Sequence, residues 1–117
     1  GTFSKAQEIT VIPAGTEQTD RIITGSGEIE AFIAETDPES WEMDTIPESA
    51  EETGTFQFAQ EETRKPGQSE NDVRMQTICE ITVYDSPYLS LQLSDPFPLS
   101  FSFKLPPEAA DYLNGYF

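Results

Sequence analysis

Histidine is absent from the 117 residues, and cysteine occurs once, as Cys79. Without histidine there is no Ser-His or Cys-His dyad, no usual general base near neutral pH and no imidazole metal ligand. A single cysteine excludes an intrachain disulfide and a thiolate metal cluster. Basic residues are scarce as well: six Lys and Arg stand against 22 Asp and Glu, a formal net charge of −16. Such a surface repels nucleic-acid phosphates and anionic membranes, which argues against direct nucleic-acid binding through a basic face. No apolar run approaches the ~20 residues of a membrane-spanning helix. The chain opens on Gly1, without a signal peptide or an initiator Met. It fits equally a mature secreted chain and a domain excised from a longer protein.

Hydrophobic residues make up 36% of the chain, which is low for a globular domain. Eight Phe, four Tyr and one Trp partly compensate, because each ring buries a large area. A single domain over residues 1–117 with one modest core is expected, together with a long polar segment.

The clearest pattern runs from Val73 to Leu105. Val73, Met75, Thr77, Cys79, Ile81, Val83, Leu89, Leu91, Leu93, Phe97, Leu99, Phe101, Phe103 and Leu105 alternate with mostly polar neighbours. A period of two predicts strands with one buried face. Asp85-Ser86-Pro87 and Asp95-Pro96-Phe97-Pro98 interrupt it with turn residues. Three consecutive antiparallel strands are expected, with Val83, Leu91, Phe101 and Phe103 in the core. Cys79 on the apolar side is expected to act as a small hydrophobe.

Upstream, Lys5–Ile12 reads as a first strand with Ile9 and Val11 on one face. Arg21–Thr24 and Glu28–Ala34 read as two arms of a hairpin around Gly25-Ser26-Gly27. That hairpin places Phe32 opposite Ile29 and Ile33, in a second core layer. Asp37-Pro38-Glu39 suits a short helical turn carrying Trp41. Pro47–Thr53 suits a second turn, with Gly54 as its stop. Thr55–Gln60 returns to a strand pattern, and Glu61–Asp72 reads as a polar loop. Pro106–Asn114 is expected to be a short helix burying Ala109, Tyr112 and Leu113 and stopped by Gly115. Tyr116 and Phe117 would help it cover the end of the sheet. The fold class is therefore mainly β: an antiparallel β-sandwich or barrel-like sheet of about six or seven strands with a short C-terminal helix.

Chemistry is thinly represented. Gly25-Ser26-Gly27 lacks the lysine and further glycine of a phosphate-binding loop. Carboxylates are abundant, but glycoside hydrolysis needs a cleft that a chain this short can hardly build beside a core. No Asp-x-Asp-x-Asp-Gly calcium pattern occurs. No enzymatic activity, cofactor or metal is expected. The one compositional oddity is the window between Arg21 and Arg64, which holds twelve acids from Glu28 to Glu62 and no Lys or Arg. Within it, the acidic polar connection 36–54 is expected to be the least ordered internal segment, anchored only by Trp41, Met43 and Ile46. Its acids read either as a solvated coat or as a face for a basic partner, cation or toxin. Trp41, Glu48, Glu51 and Glu52 are the candidate partner-binding residues, although a lone Trp in a loop more often folds back to cap the core than anchors a partner. The functional expectation is a non-catalytic protein-binding or assembly module. The alternative is an acidic inhibitor or immunity-type protein that imitates nucleic-acid phosphates and blocks a basic site.

Overall fold

β4 (Glu52–Glu61) and β5 (Met75–Tyr84) are the two longest strands and form the spine of a seven-stranded sheet. The structure, a computed structural model, describes residues 2–16, 18–62, 67, 74–94 and 97–117. β1 (Glu8–Pro13) and the three-residue β2 (Arg21–Ile23) extend the sheet on one side of the spine. β6 (Tyr88–Leu93), β7 (Leu99–Lys104) and the two-residue β3 (Glu42–Met43) extend it on the other. The order is β2-β1-β4-β5-β6-β7-β3, antiparallel throughout. The expected meander is therefore present as β5-β6-β7. Most of the polar loop expected at 61–72, and Asp95-Pro96 of the second break, lie outside the described residues.

Cross-strand registry puts the apolar residues in rows on one face. One row reads Ile23, Ile9, Phe58, Cys79, Leu93, Leu99. A second reads Val11, Phe56, Ile81, Leu91, Phe101. Period-two patterning brings these side chains to one side because consecutive residues point to opposite faces. The rule breaks where the β4–β5 register shifts between Phe58 and Ala59. There Ile78 and Cys79 are both buried, and Met75 and Thr77 beyond them are exposed. An extra residue in one strand resets the alternation, so the apolar face expected at Met75 and Thr77 ends at the bulge.

The layer packed on this face consists of two helices. α2 (Pro107–Asn114) is the expected C-terminal helix; it buries Ala109, Ala110 and Leu113 and leaves Tyr112 half-buried. Asn114 fastens its end, donating from Nδ2 to the carbonyl of Tyr84 at 3.1 Å and lying 2.7 Å from the Thr53 hydroxyl. Gly115 follows the helix in a right-handed conformation, so it stops α2 without a left-handed cap.

α1 (Ser26–Thr36) replaces the second arm of the expected hairpin. Ile29, Phe32, Ile33 and Thr36 fall at i, i+3, i+4 and i+7, the spacing of one helix face. Ile29, Phe32 and Thr36 are buried there. The apparent alternation of Ile29, Ala31 and Ile33 was the weaker of two periods in a short window. Phe32, 1% exposed, sits among Phe56, Phe58, Tyr112 and Tyr116, with ring centroids 5.0–5.9 Å apart. Edge-to-face and tilted pairs of this kind add to the area buried.

Two further expectations change. Pro47–Thr53 forms no helix: a turn at Glu48–Ser49 leads into β4, and Gly54 is a buried strand residue. The ring of Phe117 lies against Gly54 where a Cβ would project, so the glycine serves close packing rather than a helix stop. Phe101 and Phe103 are only half-buried, whereas Val83 and Leu91 are buried as expected. α1 packs on β4 through Phe32, and α2 is tied to β4 and β5 through Asn114.

Candidate protein-interaction surface

Asp37 ends α1 in a left-handed conformation (φ 47°, ψ 67°), its amide donating to the Ile33 carbonyl at 3.1 Å. The chain turns through the 3-10 turn Pro38–Ser40, as the Asp-Pro-Glu signal implies, and delivers Trp41 back onto the core. The indole is half-buried between Phe3 at 5.8 Å and Phe103 at 5.6 Å, and its Nε1 donates to the Thr36 carbonyl at 2.8 Å. Its hydrogen-bonding capacity and much of its apolar area are spent within the domain. Trp41 is thus a clasp between α1, the N-terminal 3-10 turn (Thr2–Lys5) and β7.

The acidic connection that follows has structure. β3 pairs with the C-terminal half of β7, Glu42 opposite Lys104 and Met43 opposite Phe103. The chain then travels from one margin of the sheet to β4, on the far side of β7, β6 and β5. Glu48 lies in the turn closed by Ala50 N–H donating to the Pro47 carbonyl at 3.0 Å. Glu51 exchanges two bonds with Asp85: its amide donates to Asp85 Oδ1 at 3.0 Å, and the Asp85 amide donates to its carbonyl at 2.8 Å. Glu48, Glu51 and Glu52 are exposed, so the structure gathers them at the start of β4 and adds Asp85 from the β5–β6 turn. Trp41 forms its contacts elsewhere and does not join them. Sequence spacing concealed Asp85, because its proximity depends on the β4–β5 pairing.

Met43, expected as an anchor of this segment, is 73% exposed. It belongs to an apolar margin at the β7 side of the sheet, together with Leu99 at 45% exposed and Phe97 at 66%. The cause is visible along the row from Ile23 to Leu99. Ile23, Ile9, Phe58 and Cys79 are buried, Leu93 is half-buried and Leu99 is open. The same face, patterned the same way, loses its helical cover at the last strands. β3 covers only part of the outer side of β7, so Leu99, Ser100 and Phe101 have no strand beside them there among the described residues. An open strand edge bordered by apolar side chains is a template for pairing with another chain.

Cys79 is fully buried, and burial pushes its thiol up to about 12, with the charge of Glu80 adding to the effect. A thiol so held is a poor nucleophile. No group of three or more His, Cys, Asp or Glu side chains is placed to hold a metal ion among the described residues. No helix among them is long and apolar enough to cross a membrane. Arg21 rests over the ring of Tyr116, 5.2 Å from its centroid, beside the Tyr112–Tyr116 hydroxyl pair at 3.1 Å. These groups line a shallow depression with Asp20 and Asp111, and Arg21 itself supplies the cation that an aromatic wall attracts. Comparison with family models, with curated proteins and with solved structures returned no match.

Proposed function

We propose that this domain is a non-catalytic protein-binding module. The observation that carries the reading is the apolar margin of Met43, Phe97 and Leu99 along an incompletely paired edge strand, on a chain of net charge −16. Monomeric proteins seldom leave a strand edge and large apolar side chains exposed together. The acids speed the encounter with a positively charged protein, and the apolar margin holds it. Glu48, Glu51 and Glu52 serve the first step, and Trp41 supports the surface from behind. The partner is a protein with a basic surface; nucleic acid is not bound directly.

A second reading draws on the acidic group at Glu48, Glu51, Glu52 and Asp85. Four exposed carboxyl groups at one end of a sheet could imitate phosphates and block a nucleic-acid-binding site. Salt separates the two. A phosphate imitator loses most of its affinity between low and moderate ionic strength, whereas apolar docking loses little. The experiment is a pull-down on the immobilised chain. Its product is then titrated against wild type and the Glu48→Gln, Glu51→Gln, Glu52→Gln triple variant at two salt concentrations. The triple variant is expected to fold normally and bind more slowly at low salt. Equal association rates would remove these acids from the recognition surface.

A further inference from the structure

The outer side of β7 is half occupied. β3 takes the part around Phe103 and Lys104, and the Asp44 amide extends the pairing by donating to the Ser102 carbonyl at 3.2 Å. In an antiparallel strand the amide and carbonyl of one residue point to the same side, and residues two apart point alike. The Ser102 carbonyl faces outward, so the amide and carbonyl of Ser100 face outward too. Beside them no strand lies among the described residues. The two faces flanking this gap differ in chemistry. By registry Leu99 and Phe101 share one face with Met43, the partner of Phe103. Ser100 and Ser102 share the other with Glu42, the partner of Lys104, and with Asp44. A strand entering the gap therefore meets apolar side chains on one face. On the other it meets hydroxyls, two exposed carboxylates and a single cation, Lys104.

We propose, resting on the protein-binding reading above, that the partner contributes an extended segment alternating apolar and basic residues, added beside Leu99–Phe101 as an eighth strand. Backbone bonds to Ser100 supply the pairing, and alternate side chains supply the selection. Apolar residues of the segment cover Leu99, Phe101 and Met43. Lysine or arginine residues between them face Asp44 and Glu42. The charge argues against a second copy of this chain as the occupant. Pairing β7 with its own copy would join two chains of −16 each.

The test uses the whole chain and a capped nine-residue peptide alternating lysine and valine, measured by calorimetric titration. Three comparisons accompany it: the same peptide with its lysine amides N-methylated, a glutamate–valine peptide, and the protein variants Ser100→Pro and Leu99→Ser. The lysine amides are the ones blocked because the residue opposite Ser100 in an antiparallel ladder shares the Ser100 face and turns its N–H toward Ser100. N-methylation keeps the charge and removes the donors, so it separates strand addition from non-specific attraction of a cation to an acidic protein. Proline is tolerated where a strand amide faces away from the sheet, so Ser100→Pro removes the outward donor with little harm to the fold. The lysine–valine peptide is expected to bind wild type at least tenfold more tightly than its N-methylated twin. It should lose a similar factor on Ser100→Pro, and the glutamate–valine peptide should not bind. Equal affinity for the peptide and its N-methylated twin would overturn strand addition. If Leu99→Ser still weakened binding in that case, protein binding at the apolar margin would stand without it. No binding of the lysine–valine peptide to wild type would overturn the proposal at this edge, leaving the pull-down to judge the broader reading. A dimer of the free chain in sedimentation that Ser100→Pro dissolves would assign the edge to a second copy instead. Should Ser100→Pro fail to melt cooperatively, the N-methylated peptide on wild type decides alone.

Discussion

Phe32 and Phe101 show how much the environment of a ring matters. Both are phenylalanines, and both follow the apolar pattern of their element. Phe32 is 1% exposed and touches four other rings, whereas Phe101 is half-buried near an open margin. Phe32→Ala should cost about 3–5 kcal/mol through lost burial and the cavity left behind. Phe101→Ala should cost clearly less, about 1–2 kcal/mol, because water already reaches that ring. Denaturant titrations of both variants measure this, and equal losses would contradict the burial described here. Cys79 supplies a pH effect. Its folded-state pKa, pushed by burial to about 12, lies above the ordinary value of 9.0. Above pH 9 the unfolded chain gives up this proton first and so binds fewer protons than the native state. Stability is therefore complete below about pH 9 and declines as pH rises toward about 12. Tyr112 moves the same way, raised by burial and then by its hydrogen bond to Tyr116. Melting curves between pH 8 and 11 should fall for wild type and fall less for Cys79→Ala. An identical decline in the two would show that the thiol is hydrated in the fold.

At the scale of elements, α1 is the part most easily misread. Its residues satisfy a strand pattern over a few positions and a helix pattern over eleven, and glycines at both sides of Ser26 suggest a hairpin turn. The two structures respond oppositely to one substitution. Gly27 lies in the first turn of α1, and nothing comes within 4 Å of where its Cβ would be. Gly27→Ala should stabilise the domain by about 0.4–1 kcal/mol by restricting the unfolded chain. A hairpin needing positive φ there would instead be weakened. Urea midpoints of the two proteins give the sign. β3 is the second instructive element: only two residues pair with β7, yet Trp41, directly before them, is held by Thr36, Phe3 and Phe103. Ring packing and strand pairing hold this acidic segment together; the sequence made the turn before Trp41 and its return to the core legible, but not the partners Phe3, Phe103 and Thr36.

At the scale of the molecule, charge and cover act together. With 22 acids against six bases, self-repulsion opposes the compact state at low ionic strength. Raising salt from about 10 to about 150 mM should raise the melting temperature, because the screening length shortens from about 30 to about 8 Å. An unchanged melting temperature would mean that the acids are already matched by bound cations. Two helices pack on one side of a seven-stranded sheet, and six-residue β7, whose outer neighbour β3 has two residues, carries the exposed end of a row that is buried from Ile23 to Cys79. That margin is where Met43, Phe97 and Leu99 stand exposed.

The pattern of residues by itself determined the mainly β class, the β5-β6-β7 meander and the C-terminal helix. Period-two alternation and local capping signals depend on neighbours within a few positions. It also determined the acidity and the absence of histidine chemistry, which need no coordinates. Tertiary structure decided the rest, because the rest depends on which distant residues meet. Thirteen residues separate Ile9 from Ile23, and pairing makes them neighbours in a row that begins buried and ends exposed at Leu99. Whether residues 28–34 coil or extend was decided by the aromatic pocket that receives Phe32. Whether Leu99 and Met43 face water or protein was decided by where the helical layer stops, and no local period records how far a distant helix reaches.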